Sequence, residues 1–250
     1  SIPTIRFPIE ALRLAGINNI LVVIAPQTKH GIIDGLQSGR KLGVNICYVV
    51  QEKDEKGLTG LGQAILSTKP WVGNSEDFVV ACGDSILCDF SAANPLDCLK
   101  PTLKFHASES GTATLIVHPT KSNPKRFGIV KFRRLHDDCE VLHGEVESLV
   151  EKPSLKLAKS FRTNGFNYIV AGYYIFRPKI FSYIEETKPG VKGEVQITDA
   201  IALALKSGEK VYAVVHGKND GCNFSPFDYW DVGIPEDYKE ANRRLSEANL

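Results

Sequence analysis

Methionine, net charge and long apolar runs are absent or scarce in this 250-residue sequence. No methionine occurs, although average usage would place several in such a chain, so we expect the full-length protein to contain further residues. The net charge of +1 gives no field that attracts nucleic acid or an anionic membrane. No apolar run reaches the roughly 18 residues of a transmembrane helix and no signal peptide opens the chain, so we expect a cytoplasmic protein without nucleic-acid or membrane partners.

Paired metal-binding cysteines are also missing. The six cysteines form no C-x-x-C pair and no histidine lies at ligand spacing, which argues against a zinc site. Covalent catalysis is not supported either, because no serine-histidine-acid or cysteine-histidine arrangement is evident. We expect reduced, mostly buried thiols at Cys47, Cys82, Cys88, Cys98, Cys139 and Cys222.

The composition that remains is typical of a soluble globular protein, with 43% hydrophobic and 24% charged residues. Apolar runs of strand length alternate with amphipathic helical segments, a pattern typical of βαβ units. The prediction from this pattern is one α/β domain over residues 1–250, with a largely parallel sheet.

Individual elements follow from apolar runs, capping residues and turn residues. Strands are predicted at Ile20–Ala25, Asn45–Val50, Phe78–Ala81, Thr112–Val117, Gly128–Phe132, Tyr168–Phe176 and Val211–Val215. A polar meander is expected between Phe132 and Leu149, and the middle of the chain is more antiparallel in character. Helices are predicted to end at Gly16, to begin after Thr28, and to span Gly62–Thr68, Glu194–Lys206 and Pro235–Asn249.

Asp84 is the first candidate for chemistry. It follows an apolar strand and Gly83, which places its carboxylate at the carboxyl end of a strand, where ligands of open α/β sheets bind. A carboxylate there can hold Mg²⁺ against phosphate. The alternative is an ordinary turn, because these residue types favour turns.

Asp231 lies in the apolar Trp230–Gly233 segment, where a buried carboxylate would need a metal or a cation. Two distant aspartates can share one Mg²⁺, although an exposed or capping role for Asp231 is the alternative. Further along the sheet, Glu151 and Lys152 end a strand before Pro153. They offer an acceptor for sugar hydroxyls and a cation for phosphate, or they form an exposed ion pair.

Glycines at Gly57, Gly60 and Gly62 would let the backbone approach a ligand closely, but they match neither the P-loop nor the dinucleotide fingerprint. The missing fingerprint disfavours an NAD-dependent dehydrogenase. Gln51 ends the preceding strand, where its amide could pair with a nucleobase edge or face solvent.

Taken in order, these motifs resemble the sugar nucleotidyltransferases that activate hexose-1-phosphates, such as glucose-1-phosphate thymidylyl- and uridylyltransferases. The matching blocks cover nearly the whole chain: Pro8–Leu12, Ala15–Ile17, Gly60–Ile65, Phe78–Val80, Gly83–Asp84, Arg126–Val130, Val150–Pro153, Ala171–Phe176, Lys192–Ala200 and Trp230–Tyr238.

The resemblance implies a nucleotide-diphospho-sugar transferase-like fold, an α/β domain with a Rossmann-like mixed, mostly parallel sheet flanked by helices. Its nucleotide-binding part would cover about 1–110 and its sugar-binding part about 111–235. Asp84 and Asp231 would be catalytic Mg²⁺ ligands, and the catalytic Lys152 would contact the sugar phosphate. The remaining substrate contacts would come from Gln51, Gly60, Gly62 and Gly83 on the nucleotide side and from Gly128, Glu151 and Gly172 on the sugar side.

The implied substrates are a nucleoside triphosphate, with UTP favoured over dTTP, and glucose-1-phosphate. The implied cofactor is Mg²⁺, and homo-oligomerisation is left open. The family's opening strand and glycine-rich G-G-x-G-T-R loop do not precede Ile2–Arg6. Without that strand the sheet would have a gap, so we expect the segment in the full-length protein. The competing hypothesis is a catalytically silent regulatory or sensor relative that binds nucleotide-sugar.

Overall fold

The computed structural model describes residues 3–51, 57–74, 76–137, 141–190, 193–219 and 224–247. The helices are α1 Arg6–Leu14, α2 Lys29–Leu36, α3 Leu61–Leu66, α4 Lys69–Val72, α5 Lys100–Ser108, α6 Leu155–Ser160, α7 Ile180–Glu186, α8 Ile197–Lys206 and α9 Pro235–Glu247. The strands are β1 Asn19–Ile24, β2 Asn45–Val50, β3 Phe78–Ala81, β4 Ser85–Cys88, β5 Ala113–Thr120, β6 Gly128–Asp137, β7 Leu142–Glu151, β8 Asn167–Phe176, β9 Val211–Val215, β10 Gly217–Asn219, β11 Phe224–Pro226 and β12 Asp228–Asp231.

Most predicted elements are confirmed. β2, β3 and β9 have the predicted bounds, and α1 ends just before Gly16, whose N–H donates to the Arg13 carbonyl at 2.9 Å. Thr28 takes the N-cap position of α2, but its hydroxyl bonds back to the Ala25 carbonyl at 3.4 Å and does not cap the helix. The predicted end of the last helix, Asn249, lies outside the described residues, as do Cys139 and Cys222.

Two predicted elements were wrong in detail. The segment expected as a polar meander is the strand β7, which pairs with β6 along a long antiparallel hairpin. Its charged residues are paired across the strands, as Lys131 is with Glu147 at 3.0 Å, so a polar sequence still forms a ladder. Helix α8 begins at Ile197, later than the predicted Glu194.

The main sheet has six strands in the order β3-β8-β5-β9-β7-β6, and β6 also pairs with β8. The Rossmann-like mixed α/β class is confirmed, but its strand pairs are less parallel than predicted. Among the described residues, the parallel pairs are β1 with β2 and β5 with β9, and the other strand pairs are antiparallel. The difference arises because β6 and β7 form a hairpin and β8 runs antiparallel to β3, β5 and β6.

A separate two-stranded sheet is formed by β1 and β2. In the described part of the chain no strand joins this sheet to β3, which is therefore an edge of the main sheet. Helix α1 spans the division: Ile9 packs in a cluster with Val22 and Ile24 of β1, while Phe7 packs in another that includes Val79.

The core of the main sheet is centred on β8, which is buried along its whole length. It packs against α7 and α8, whose apolar faces share a large cluster with it. Of the four described thiols, Cys88 and Cys98 are buried, Cys82 is partly buried and Cys47 is exposed, and all four are free. No described helix has the length and apolarity needed to cross a bilayer.

Candidate active site

The two aspartates predicted to share a metal are brought together by strand pairing. Asp84 ends the turn after β3 and immediately precedes β4, and β4 pairs antiparallel with β12. Asp231, the last residue of β12, lies opposite Ser85, and the Val232 N–H donates to the Asp84 carbonyl at 2.8 Å. The 147-residue separation in sequence thus becomes a near-neighbour contact.

One oxygen of each carboxylate lies close to Gly233. A methyl carbon placed on Gly233 would lie 3.0 Å from Oδ1 of Asp231 and 3.6 Å from Oδ2 of Asp84, so these oxygens are at most about 6.6 Å apart, the sum of the two distances. Burial, then the negative charge of Asp231, raises the pKa of the Asp84 carboxyl. A cation between the two groups would relieve that repulsion.

Arg126 is the described cation that pairs with this site. Its guanidinium donates to Oδ2 of Asp231 at 2.7 Å, while the Gly233 N–H donates to Oδ1 at 3.1 Å. The contact is supported by packing, since the Phe127 ring lies 6.2 Å edge-on from Tyr229 of β12. Sequence reasoning placed Arg126 only within a family block and gave it no role, because nothing local connects it to a residue 105 positions away.

A second group of predicted residues gathers where β6 and β7 pair. Gly128 lies opposite Glu151, and a methyl carbon on Gly128 would be 2.9 Å from Oε2 of Glu151. The Thr198 hydroxyl donates to the same oxygen at 3.1 Å, a partner that sequence reasoning missed. Burial is the largest cause that raises the pKa of Glu151, and the hydrogen bond from Thr198 opposes it.

Lys152 has an unusual backbone. Its φ of +45° is one of three positive values at described non-glycine residues, and it precedes Pro153, which disfavours helical conformations at the preceding residue. The Lys152 Nζ lies 3.8 Å from Oε1 of Glu151, and the lysine side chain is 57% exposed. Such strained backbone is retained where surrounding structure enforces it, often at functional sites, so the conformation supports a role beyond an exposed ion pair.

Gly172 of β8 packs against the turn that carries Asp84. It has a φ of +73°, and an added methyl carbon would lie 2.2 Å from the Ser85 hydroxyl oxygen and 3.2 Å from the Cys82 Cβ. Gly83 is looser, with the nearest atom to such a carbon being Ile5 Cγ1 at 3.8 Å. Gly172 therefore has a packing reason to be glycine, beside the residue that follows Asp84.

The nucleotide-side residues form a third group. The Gln51 side-chain amide donates to the Gly60 carbonyl at 3.3 Å. Methyl carbons on Gly60 and Gly62 would lie 2.8 and 2.7 Å from the Val195 carbonyl oxygen, which accepts the Gly62 N–H at 2.8 Å. The close approach inferred from the glycines is thus made to residues 193–195, and Lys192 lies outside the described residues.

One short segment links the second and third groups. Val195 packs on Gly60 and Gly62, and Thr198, at the start of α8, contacts Glu151. The same segment explains the late start of α8, because the Val195 N–H donates to the Thr59 carbonyl at 2.7 Å and Glu194 bridges to Thr59, which keeps residues 194–196 out of the helix.

A hydroxyl-histidine-acid arrangement does occur elsewhere. The Nδ1 of His106 is 2.8 Å from the Thr114 hydroxyl, and its Nε2 is 3.3 Å from Oδ2 of Asp77. Thr114 is fully buried in β5, however, so a substrate cannot reach its hydroxyl. His106 and Thr114 are buried, whereas the Asp77 side chain is 45% exposed, so the arrangement is a polar contact between core and surface and not a catalytic triad.

The chain belongs to the nucleotidyl transferase family, whose model matches residues 1–248. It is 32% identical to the low-salt glycan biosynthesis nucleotidyltransferase Agl11 of Haloferax volcanii over 98% of the chain, and 28% identical to a glucose-1-phosphate thymidylyltransferase of Neisseria meningitidis over 96%. It spans 58% and 70% of those two proteins, respectively.

The fold is also that of a solved structure, UDP-glucose pyrophosphorylase complexed with UDP-glucose. The TM-score is 0.75 at 24% identity, with 98% of this chain and 87% of that chain covered. The predicted membership of the sugar-1-phosphate nucleotidyltransferase family is therefore confirmed. The individual site assignments stay predictions.

Proposed function

We propose that the protein transfers a nucleotidyl group from a nucleoside triphosphate to a hexose-1-phosphate, giving a nucleotide-sugar and pyrophosphate. UTP with glucose-1-phosphate is the favoured pair, and dTTP is the second nucleotide. Family membership and the names of the relatives support the reaction class. The observation that carries the proposal is the convergence of Asp84 and Asp231 on one point.

The aspartate pair fits Mg²⁺. This ion is bound by one or two carboxylates together with substrate phosphate oxygens, and the two aspartates offer hard oxygen donors no more than about 6.6 Å apart. Burial, and then the negative charge of Asp231, raises the pKa of Asp84, and a bound cation would favour its ionised form. Asp84 and Asp231 would hold the ion, which would supply charge neutralisation at the phosphates.

The protein's own residues would position the substrates. Glu151 accepts hydrogen bonds from neighbouring sugar hydroxyls, beside Gly128, where a side chain would collide with it. Lys152 binds the sugar phosphate, and its constrained backbone limits where its ammonium group can reach. The sugar-phosphate oxygen then attacks the α-phosphorus in line and pyrophosphate leaves, so catalysis consists mostly of positioning and charge neutralisation.

A pyrophosphate-release assay over UTP and dTTP, each with glucose-1-phosphate and its epimers, tests the proposal. Asp84→Asn and Asp231→Asn should each lower turnover by at least about 100-fold, since charge neutralisation at a transferring phosphoryl group contributes several kcal/mol. Glu147→Gln is the matched control, because it also removes an ion-paired carboxylate, 3.0 Å from Lys131, and should leave turnover unchanged.

Equal activity of the aspartate variants and the control would refute the role of the pair. Binding of UDP-glucose by the wild-type protein without pyrophosphate release from any substrate pair would instead identify the silent sensor relative.

A further inference from the structure

Arg126 engages the same carboxylate that the proposed function assigns to the metal. Its guanidinium donates to Oδ2 of Asp231 at 2.7 Å, and the Gly233 N–H donates to Oδ1 at 3.1 Å. Both oxygens of Asp231 therefore have a protein donor. The Arg126 side chain is 50% exposed, whereas that of Asp231 is 20% exposed, so the arginine can leave more easily than the carboxylate can move.

A guanidinium on Oδ2 and a divalent cation on Oδ1 cannot share the Asp231 carboxylate without cost. Arginine carries donors and a permanent positive charge, so it offers nothing that a metal can bind. Two cations on one carboxylate also repel each other, and the nearby Asp84 carboxylate compensates only part of that repulsion. Occupation of the site by a metal therefore works against the ion pair.

The surroundings of Arg126 fix its backbone and leave its guanidinium partly exposed. Its guanidinium carbon lies 5.6 Å from the centroid of the neighbouring Phe127 ring, and its backbone lies two residues before β6. Phe127 in turn contacts Tyr229 of β12, which keeps the Arg126 backbone close to Asp231. The Arg126 backbone is fixed by packing while its guanidinium is partly exposed, so the contact with Asp231 can break without moving the backbone.

We propose that the Arg126 guanidinium competes with the metal for the Asp231 carboxylate. Without a bound metal the guanidinium would neutralise Asp231, and a metal at Oδ1 would weaken its hold on Oδ2. The inference rests on the proposed function, because it takes Asp231 as a metal ligand.

In the competing account, Arg126 holds the Asp231 carboxylate in the orientation that the metal needs. The two accounts predict opposite effects of neutralising the arginine. Removal of a competitor strengthens metal binding, whereas removal of a residue that orients the metal ligand weakens it. The sign of the change in metal affinity therefore decides between them.

The experiment measures the Kd of Mn²⁺ alone, by electron paramagnetic resonance titration of the protein without nucleotide. Arg126→Gln should bind Mn²⁺ about two- to five-fold more tightly than wild type, the range expected for losing competition from a partly exposed ion pair. Arg126→Lys keeps the charge and should stay near wild type. Arg133→Gln, which removes a β6 guanidinium 3.2 Å from Glu145, is the matched control and should change nothing.

An unchanged or weakened affinity in Arg126→Gln would overturn the inference. So would Mn²⁺ binding that persists undiminished in Asp84→Asn and Asp231→Asn, or no binding by the wild type. Pyrophosphate release is scored separately, so tighter Mn²⁺ binding in a protein that releases none would support the arginine's role while contradicting the proposed function.

Discussion

Replacing Gly172 with alanine tests how the fold holds the aspartate turn in place. The new methyl carbon would lie 2.2 Å from the Ser85 hydroxyl oxygen and 2.9 Å from the Ser85 Cβ. Rotation of the serine side chain can move the hydroxyl but not the Cβ, so the backbone of β4 or β8 has to shift. Because Ser85 directly follows Asp84, that shift displaces the carboxylate proposed to hold the metal.

The cost can be divided into two parts. A positive φ costs an L-residue about 1–2 kcal/mol, offset by about 0.4–1 kcal/mol from the lower entropy of the unfolded chain, so the backbone part is about 1 kcal/mol. Overpacking a buried position adds about 1–3 kcal/mol. We therefore expect Gly172→Ala to lower the free energy of unfolding by about 2–4 kcal/mol.

Gly208→Ala is the matched control. Gly208 also has a positive φ, +86°, but an added methyl carbon would meet no atom within 4 Å, so this variant should lose only the backbone part. Urea unfolding of both variants gives the difference, and pyrophosphate release shows whether Asp84 has moved. Equal losses in the two variants would refute the steric argument, and full activity in Gly172→Ala would refute the link to Asp84.

Three further predictions concern Lys152 and Glu151. Lys152→Ala should lower turnover far more than stability, because the side chain is 57% exposed; an unchanged turnover at saturating substrate, equal to that of Lys131→Ala, would show that it is only an exposed ion-pair member. Glu151→Gln should narrow the preference in kcat/KM for glucose-1-phosphate over galactose-1-phosphate by up to the roughly 1–3 kcal/mol that an unpaired buried acceptor costs; an unaltered ratio with a raised nucleotide KM would move Glu151 to the triphosphate side. The folded pKa of Glu151 is raised, so its contribution to stability is present below its ordinary value of 4.5 and is lost as pH rises through the folded pKa. Thermal melts of Glu151→Gln, measured without metal, should therefore be less pH-dependent over that window than those of wild type.

The parts of the fold that could be predicted are those with a local cause. The strand Phe78–Ala81 is a short apolar run ended by turn residues, and its bounds were predicted as observed. The strand β7 was missed because its polar residues are satisfied by the partner strand, as in the pairing of Glu145 with Arg133 at 3.2 Å. A local pattern cannot show a partner that the chain supplies only after folding.

The same distinction separates the two halves of the candidate site. Asp84 and Asp231 were found because each lies in a short motif that resembles the family, and their convergence was predicted from the need of a buried carboxylate for a cation. Arg126 had no such signal: its pairing with Asp231 exists only because β12 returns to pair with β4 and Tyr229 packs on Phe127. Sequence reasoning expected a metal or a cation beside Asp231, but it could not show that the cation is Arg126, because the two residues meet only in the folded chain.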